Sequence, residues 1–87
     1  MKVTFYVTTN LGGEFADYRK TFDVAMPPFV GMALRCGRFE VPVNAIVYDT
    51  VAGEVVAITK VATFKDDKWH AAADEELQAA GWEKLKK

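Results

Sequence analysis

Val3, Phe5 and Val7 alternate with Lys2, Thr4, Tyr6 and Thr8. A period of two in β-branched and aromatic residues predicts a strand over 2–9. Asn10-Leu11-Gly12-Gly13 is a turn sequence, because Asn and Gly tolerate positive φ. Beyond it Tyr18, Phe22, Val24 and Met26 share one parity and Arg19, Thr21 and Asp23 the other, so a second strand over 17–26 should hairpin onto the first. Lys20 is the misfit on its apolar side. Pro27-Pro28 has no N–H to donate and ends this ladder. Val30, Met32, Leu34 and Cys36 then predict a third strand over 30–36, and Gly37-Arg38 a short connection to a fourth over 39–50, where Pro42 hints at an edge or bulge. Asp49-Thr50-Val51-Ala52-Gly53-Glu54 fits a type I turn whose final left-handed residue is Gly53. A fifth strand follows over 54–64.

The remainder reads as one helix over about 71–80. Asp74, Glu75 and Glu76 then lie early and Lys84, Lys86 and Lys87 after it, the polarity that a helix dipole favours. Gly81 suits the left-handed position past a helix end, which makes Leu77 and Trp82 the pair that touch in a Schellman motif. The expected fold is mainly β (α+β): one domain over 1–87, a five-stranded antiparallel meander curling into a small SH3-like or split barrel, with one C-terminal helix. An open sheet with the helix on one face is the alternative. Phe5, Phe22, Met32, Val47 and Phe64 are the expected filling.

The last two strands are apolar on both parities. Val41, Val43, Ala45 and Val47 oppose Ile46 and Tyr48 in the fourth; Val55, Ala57 and Val61 oppose Val56, Ile58, Ala62 and Phe64 in the fifth. A sheet with one wet face alternates cleanly, so this hairpin calls for cover on both sides. A helix of ten residues is about 15 Å long and an eleven-residue hairpin about 35 Å, so the helix cannot shelter all of it. A second copy of the chain is the simplest cover, isologous dimers being the commonest oligomers. Barrel curvature within one subunit is the competing explanation. Ile46, Tyr48, Val56 and Ile58 are the candidate dimer interface.

Composition narrows the chemistry. Eleven Lys and Arg oppose twelve Asp and Glu, a net charge of -1, whereas a chain that simply neutralised nucleic-acid phosphates would be basic. A single-stranded nucleic-acid face could still be assembled from Arg19 and Arg35 on polar parities, with Tyr6 as a stacking ring. A small-molecule cleft at a dimer seam could be lined by Tyr48, Phe29 and Trp82. One cysteine, Cys36, cannot form an intrachain disulfide. Its parity turns it towards the core, away from any pairing with His70, the single histidine. One His and one Cys do not make a structural zinc set, and the acidic clusters lack the spacing of a calcium loop. Gly12-Gly13 has the wrong neighbours for a phosphate loop. No catalytic, cofactor-binding or metal residue is therefore assigned, no cofactor is expected, and no activity as an enzyme. No leader-like or membrane-spanning apolar run is seen, so a soluble cytoplasmic protein is expected.

Pro27-Pro28-Phe29-Val30-Gly31-Met32-Ala33-Leu34, Val43-Asn44-Ala45-Ile46-Val47-Tyr48-Asp49 and the Gly53 hairpin together resemble small uncharacterised bacterial β proteins of mobile elements, integron gene cassettes among them. The resemblance spans about the middle half of the chain and implies a cytoplasmic bacterial origin. It carries no functional motif. The expected function is that of a small binding or interaction module that self-associates, most simply as a homodimer, with a further protein partner possible and nucleic acid or membrane not expected.

Overall fold

The computed structural model describes residues 1–85. β1 (Lys2–Leu11) and β2 (Glu14–Asp23) form the first hairpin, running in antiparallel register from Lys2 opposite Asp23 to Leu11 opposite Glu14. β3 (Ala33–Cys36), β4 (Phe39–Asp49) and β5 (Glu54–Thr59) form an antiparallel meander. β6 (Ala62–Phe64) precedes α1 (Asp67–Ala79), and β7 (Glu83–Leu85) ends the described chain. The strands run β3-β4-β5-β1-β2-β7, with β6 continuing alongside β1. The sheet curls into an open half-barrel.

Two expectations about topology are corrected. There are seven strands among the described residues, not five, and the sheet is no simple antiparallel meander, because β1 pairs in parallel with β5 and then β6. The physical reason lies in β1 itself. Val3, Phe5, Val7 and Thr9 are buried on its inner face and Thr4 on the other, and backbone N–H and C=O groups at that depth need partners along both edges of the strand. β2 supplies one and the β5–β6 run the other. β7 had no sequence signal strong enough to be read; Leu85, Lys84 and Glu83 pair with Asp17, Tyr18 and Arg19.

The boundaries shift for local reasons. The second strand begins at Glu14 and ends at Asp23, not 17–26. The third covers Ala33–Cys36 instead of 30–36, because Phe29 to Met32 form a turn in which the Met32 amide donates to the Phe29 carbonyl at 3.1 Å. Its third residue, Gly31, has φ +93°, a conformation other residues avoid. The run expected over 54–64 is broken at Lys60-Val61 into β5 and β6. The helix starts four residues before the expected Ala71. Asp66 caps it by accepting from the Lys68 amide at 2.8 Å, and Asp67 is the acid of its first turn. Asp74, Glu75 and Glu76 thus sit in its later half, not at its positive end.

The helix closes through a Schellman pair of bonds: Trp82 N–H to the Leu77 carbonyl at 2.9 Å and Gly81 N–H to Gln78 at 3.1 Å. That geometry folds Leu77 and Trp82 into the core, where Trp82 meets Phe22 edge-on at 5.7 Å, as Phe22 meets Phe5. Lys20, on the apolar parity of β2, lies 4.9 Å from the centre of the Phe22 ring and donates to the Ala80 carbonyl. It satisfies a carbonyl that the helix end leaves open. Among the described residues no helix is long and apolar enough to cross a membrane.

Candidate interaction surface

Between Val43 and Ala45 the register of β4 against β5 slips by one residue. A bulge of this kind exchanges the two faces of a strand. Val41 and Val43 are buried before it, and after it Ile46 and Tyr48 take the inner face, opposite Ala57 and Val55. Ala45 and Val47 turn outwards opposite Ile58 and Val56, which lie beside Tyr6 and Thr4 of β1. The break at Lys60-Val61 re-phases the following strand in the same way: Val55, Ala57 and Thr59 face inwards before it, and Ala62 and Phe64 are partly buried after it.

The four candidate interface residues therefore do not form one patch. Ile46 and Tyr48 belong to the inner face and Val56 and Ile58 to the outer. Each face is nonetheless uncovered at this end of the molecule: Ile46 is 36% and Tyr48 64% exposed, and Val47 and Ile58 are 45% and 41% exposed on the other side. Val47 consequently does not fill the interior. α1 reaches the opposite end, where Ala73 and Leu77 are its buried residues. The turn that joins the two strands is held by Asp49, whose side chain accepts from the amides of Val51 and Ala52 at 2.9 and 3.0 Å, and by Gly53 N–H to the Asp49 carbonyl at 2.8 Å. Gly53 has φ +68°.

The other predicted groupings come apart. Arg19 and Tyr6 are neighbours across β1 and β2, but Arg35 lies on β3, with β4, β5 and β1 intervening. Each arginine of the sequence has a carboxylate partner: Arg19 binds Glu83 at 2.9 Å, Arg35 binds Glu40 at 2.9 Å, and Arg38 binds Glu76. Glu83, then Tyr6, holds the Arg19 cation more firmly charged than usual. Trp82 is buried beside Leu77 and Phe22, so it cannot line a seam with the exposed Tyr48 and Phe29.

The chemically versatile groups are spoken for. Cys36 is buried, and burial pushes its thiol up to about 11. His70 shares a hydrogen bond with Thr9 at 2.9 Å and meets the Phe64 ring edge-on at 5.3 Å. No group of three or more possible metal ligands occurs among the described residues. A polar network went unread in the sequence: the fully buried Tyr18 donates its hydroxyl to Asp74, which also takes Lys84 at 2.9 Å and Gln78 at 2.9 Å. A tyrosine on a buried parity needs a partner for its hydroxyl, and that rule was the available signal. Burial, then the bond to Asp74, raises the Tyr18 hydroxyl well above its usual value. Burial opposes the charge on Asp74, but Tyr18, Lys84 and Gln78 outweigh it and hold the carboxyl below its usual range.

A cleft of about 290 Å³ opens where the β3–β4 turn meets the start of the helix, lined by Arg38, Phe39, Phe64, Lys65 and Trp69 among others. Trp69 is 55% exposed, with the Arg38 guanidinium 5.4 Å from its ring centre. No family model, no curated protein and no solved structure matches the chain.

Proposed function

We propose that this chain is a small interaction module that acts by self-association, as a homodimer joined at the β4–β5 hairpin, and not by catalysis. The observation that carries this reading is the hairpin's bare apolar side chains on both faces. Ile46 and Tyr48 lie inside the curl and Val47 and Ile58 outside it, all accessible. Burying such side chains is favourable by roughly 25 cal/mol per Å² of apolar surface, and contiguous exposed apolar surface marks interaction sites. Binding fits better than chemistry because the Tyr18, Asp74, His70 and Cys36 side chains are occupied within the fold. The integron-cassette resemblance is compatible with such a role.

Light scattering tests it. The wild-type chain should have twice its 9.7 kDa mass at high micromolar concentration, and Tyr48→Asp should have the single-chain mass with its circular dichroism unchanged. Tyr48 is 64% exposed, so a charge there costs little in the isolated subunit. A wild-type protein that stays monomeric, or a Tyr48→Asp variant that stays dimeric, would overturn the assignment.

A further inference from the structure

We propose that the dimer forms by antiparallel pairing of the β4 edge, Ala45 to Asp49, with the same edge of a second copy. This rests on the self-association reading above and adds to it the contact and its register. Along Phe39–Pro42 the outer side of β4 is filled by β3, and Val43 exchanges both its backbone bonds with Gly31 and Met32, each at 2.8 Å. From Ala45 onward β4 has a strand only on its β5 side among the described residues. The N–H and C=O groups that face the other way form an open template for another strand.

Among the described residues the edges at β3, β2 and β7 carry charges, and Ala45 to Tyr48 does not. β3 is four residues long and carries Arg35. β7 is three residues long and carries Glu83 and Lys84. The part of β2 beyond β7 carries Lys20 and Asp23. Ala45-Ile46-Val47-Tyr48 has no charge and no proline, and the adjoining bulge lies at its beginning, not within it. Charge and proline are usual means of blocking edge pairing, and β4 uses neither from Ala45 to Tyr48, its one acid, Asp49, lying at the turn end of the segment.

Symmetry and side chains select the register. Two antiparallel strands related by a two-fold axis keep their inner faces on the same side, so residues of like parity must oppose. Val47 opposite the partner's Val47 uses the whole free segment. It sets Ile46 against the partner's Tyr48 on the inner face and Ala45 against the partner's Asp49 on the outer. A slip of the axis to Ile46 drives the partner's Asp49 into the edge already occupied by Gly31 and Met32. Moving it to Tyr48 runs Ile46 against the partner's Thr50, which is already in the turn, and so shortens the ladder; moving it to Asp49 opposes two carboxylates, which is destabilising.

Engineered cysteines read this directly. Opposed residues in antiparallel strands have Cα atoms about 4.5 or 5.5 Å apart, within disulfide range, and the native Cys36 is buried. Under mild oxidation Val47→Cys should give a covalent dimer nearly quantitatively, whereas Val61→Cys, equally exposed on the β5–β6 connection, should not. In the wild type, hydrogen exchange should be slow at every amide from Ile46 to Asp49, instead of only at the alternate ones bonded to β5. If the wild type is a dimer but Val47→Cys links no faster than Val61→Cys, or exchange alternates, edge pairing is wrong and self-association stands. If the wild type is a monomer by light scattering, both fail together.

Discussion

Replacing Gly81 separates backbone chirality from packing at the helix end. Gly81 has φ +93°, where an L side chain costs about 1–2 kcal/mol relative to a right-handed conformation. A Cβ built there would meet only Lys20, at 3.4 Å from Nζ and 3.6 Å from Cε. Those atoms end a flexible chain and can yield, so the cost of Gly81→Ala is almost wholly backbone strain. One kcal/mol moves the melting temperature of a domain this size by about 4–8 °C, so the variant should melt about 4–16 °C lower. Gly81→Val, branched at Cβ, should melt lower still. An 87-residue chain is within reach of chemical ligation, which allows D-alanine at the same position. For a D residue this φ is unstrained, and the substitution should stabilise by about 0.4–1 kcal/mol by restricting the unfolded chain. Calorimetry on the wild type and these three variants gives the order D-alanine, glycine, L-alanine, valine. Equal melting of the D and L forms would refute the claim that the glycine is there for its backbone.

Two further outcomes follow from ionisable groups in the fold. Because the Asp74 carboxyl is held below its usual range in the folded state, its stabilisation is complete above the unfolded value of about 4 and is lost as pH falls through the depressed folded value. Denaturant titrations should show Asp74→Asn less stable than wild type at neutral pH and the gap closing in acid; a gap constant with pH would refute this. Cys36 has the opposite sign: its folded value of about 11 lies above the unfolded thiol's, so stability should be intact below the unfolded value and fall as pH rises from it towards the folded one. At neutral pH the thiol should react with a disulfide reagent only as fast as the chain opens, and a burst of reaction in native buffer would show the thiol to be accessible.

Local chemistry in this sequence was legible wherever a residue acts on its own neighbours. The alternation of Val3, Phe5 and Val7 marks β1, and Gly81 with Leu77 and Trp82 marks the end of the helix. Asp66 could have marked its start, since a capping aspartate lies four residues before His70 and seven before the buried Ala73. What misled was phase. Parity counted through the bulge at Val43 and Ala45, and through the break at Lys60-Val61, makes one-sided strands look two-sided. Part of the apparent doubling is such a slip; Ile46 with Tyr48, and Val47 with Ile58, remain apolar on both faces after the correction. The parallel pairing of β5 with β1 left no local trace, because it follows from how deeply β1 is buried, a property of the whole chain.

The ion pairs trace the same division of the surface. Arg19 with Glu83 joins β2 to β7, Arg35 with Glu40 joins β3 to β4, Arg38 with Glu76 joins the β3–β4 turn to the helix, and Lys84 with Asp74 joins β7 to the helix. Exposed pairs of this kind contribute little stability one by one, but each blocks an edge or pins a short element. Between Pro42 and Lys60 the sequence has no cation, and its two acids, Asp49 and Glu54, sit at the turn. The hairpin is thus neutral along its length and negative at its tip. Two such hairpins side by side in the same direction would bring their tips together and repel. Laid antiparallel about Val47, they place the tips at opposite ends, set each Asp49 against an alanine and not another acid, and pair the free backbone of the two edges. The charges that mark the β3, β2 and β7 edges are thus absent from this one, which permits the arrangement that a two-fold axis requires.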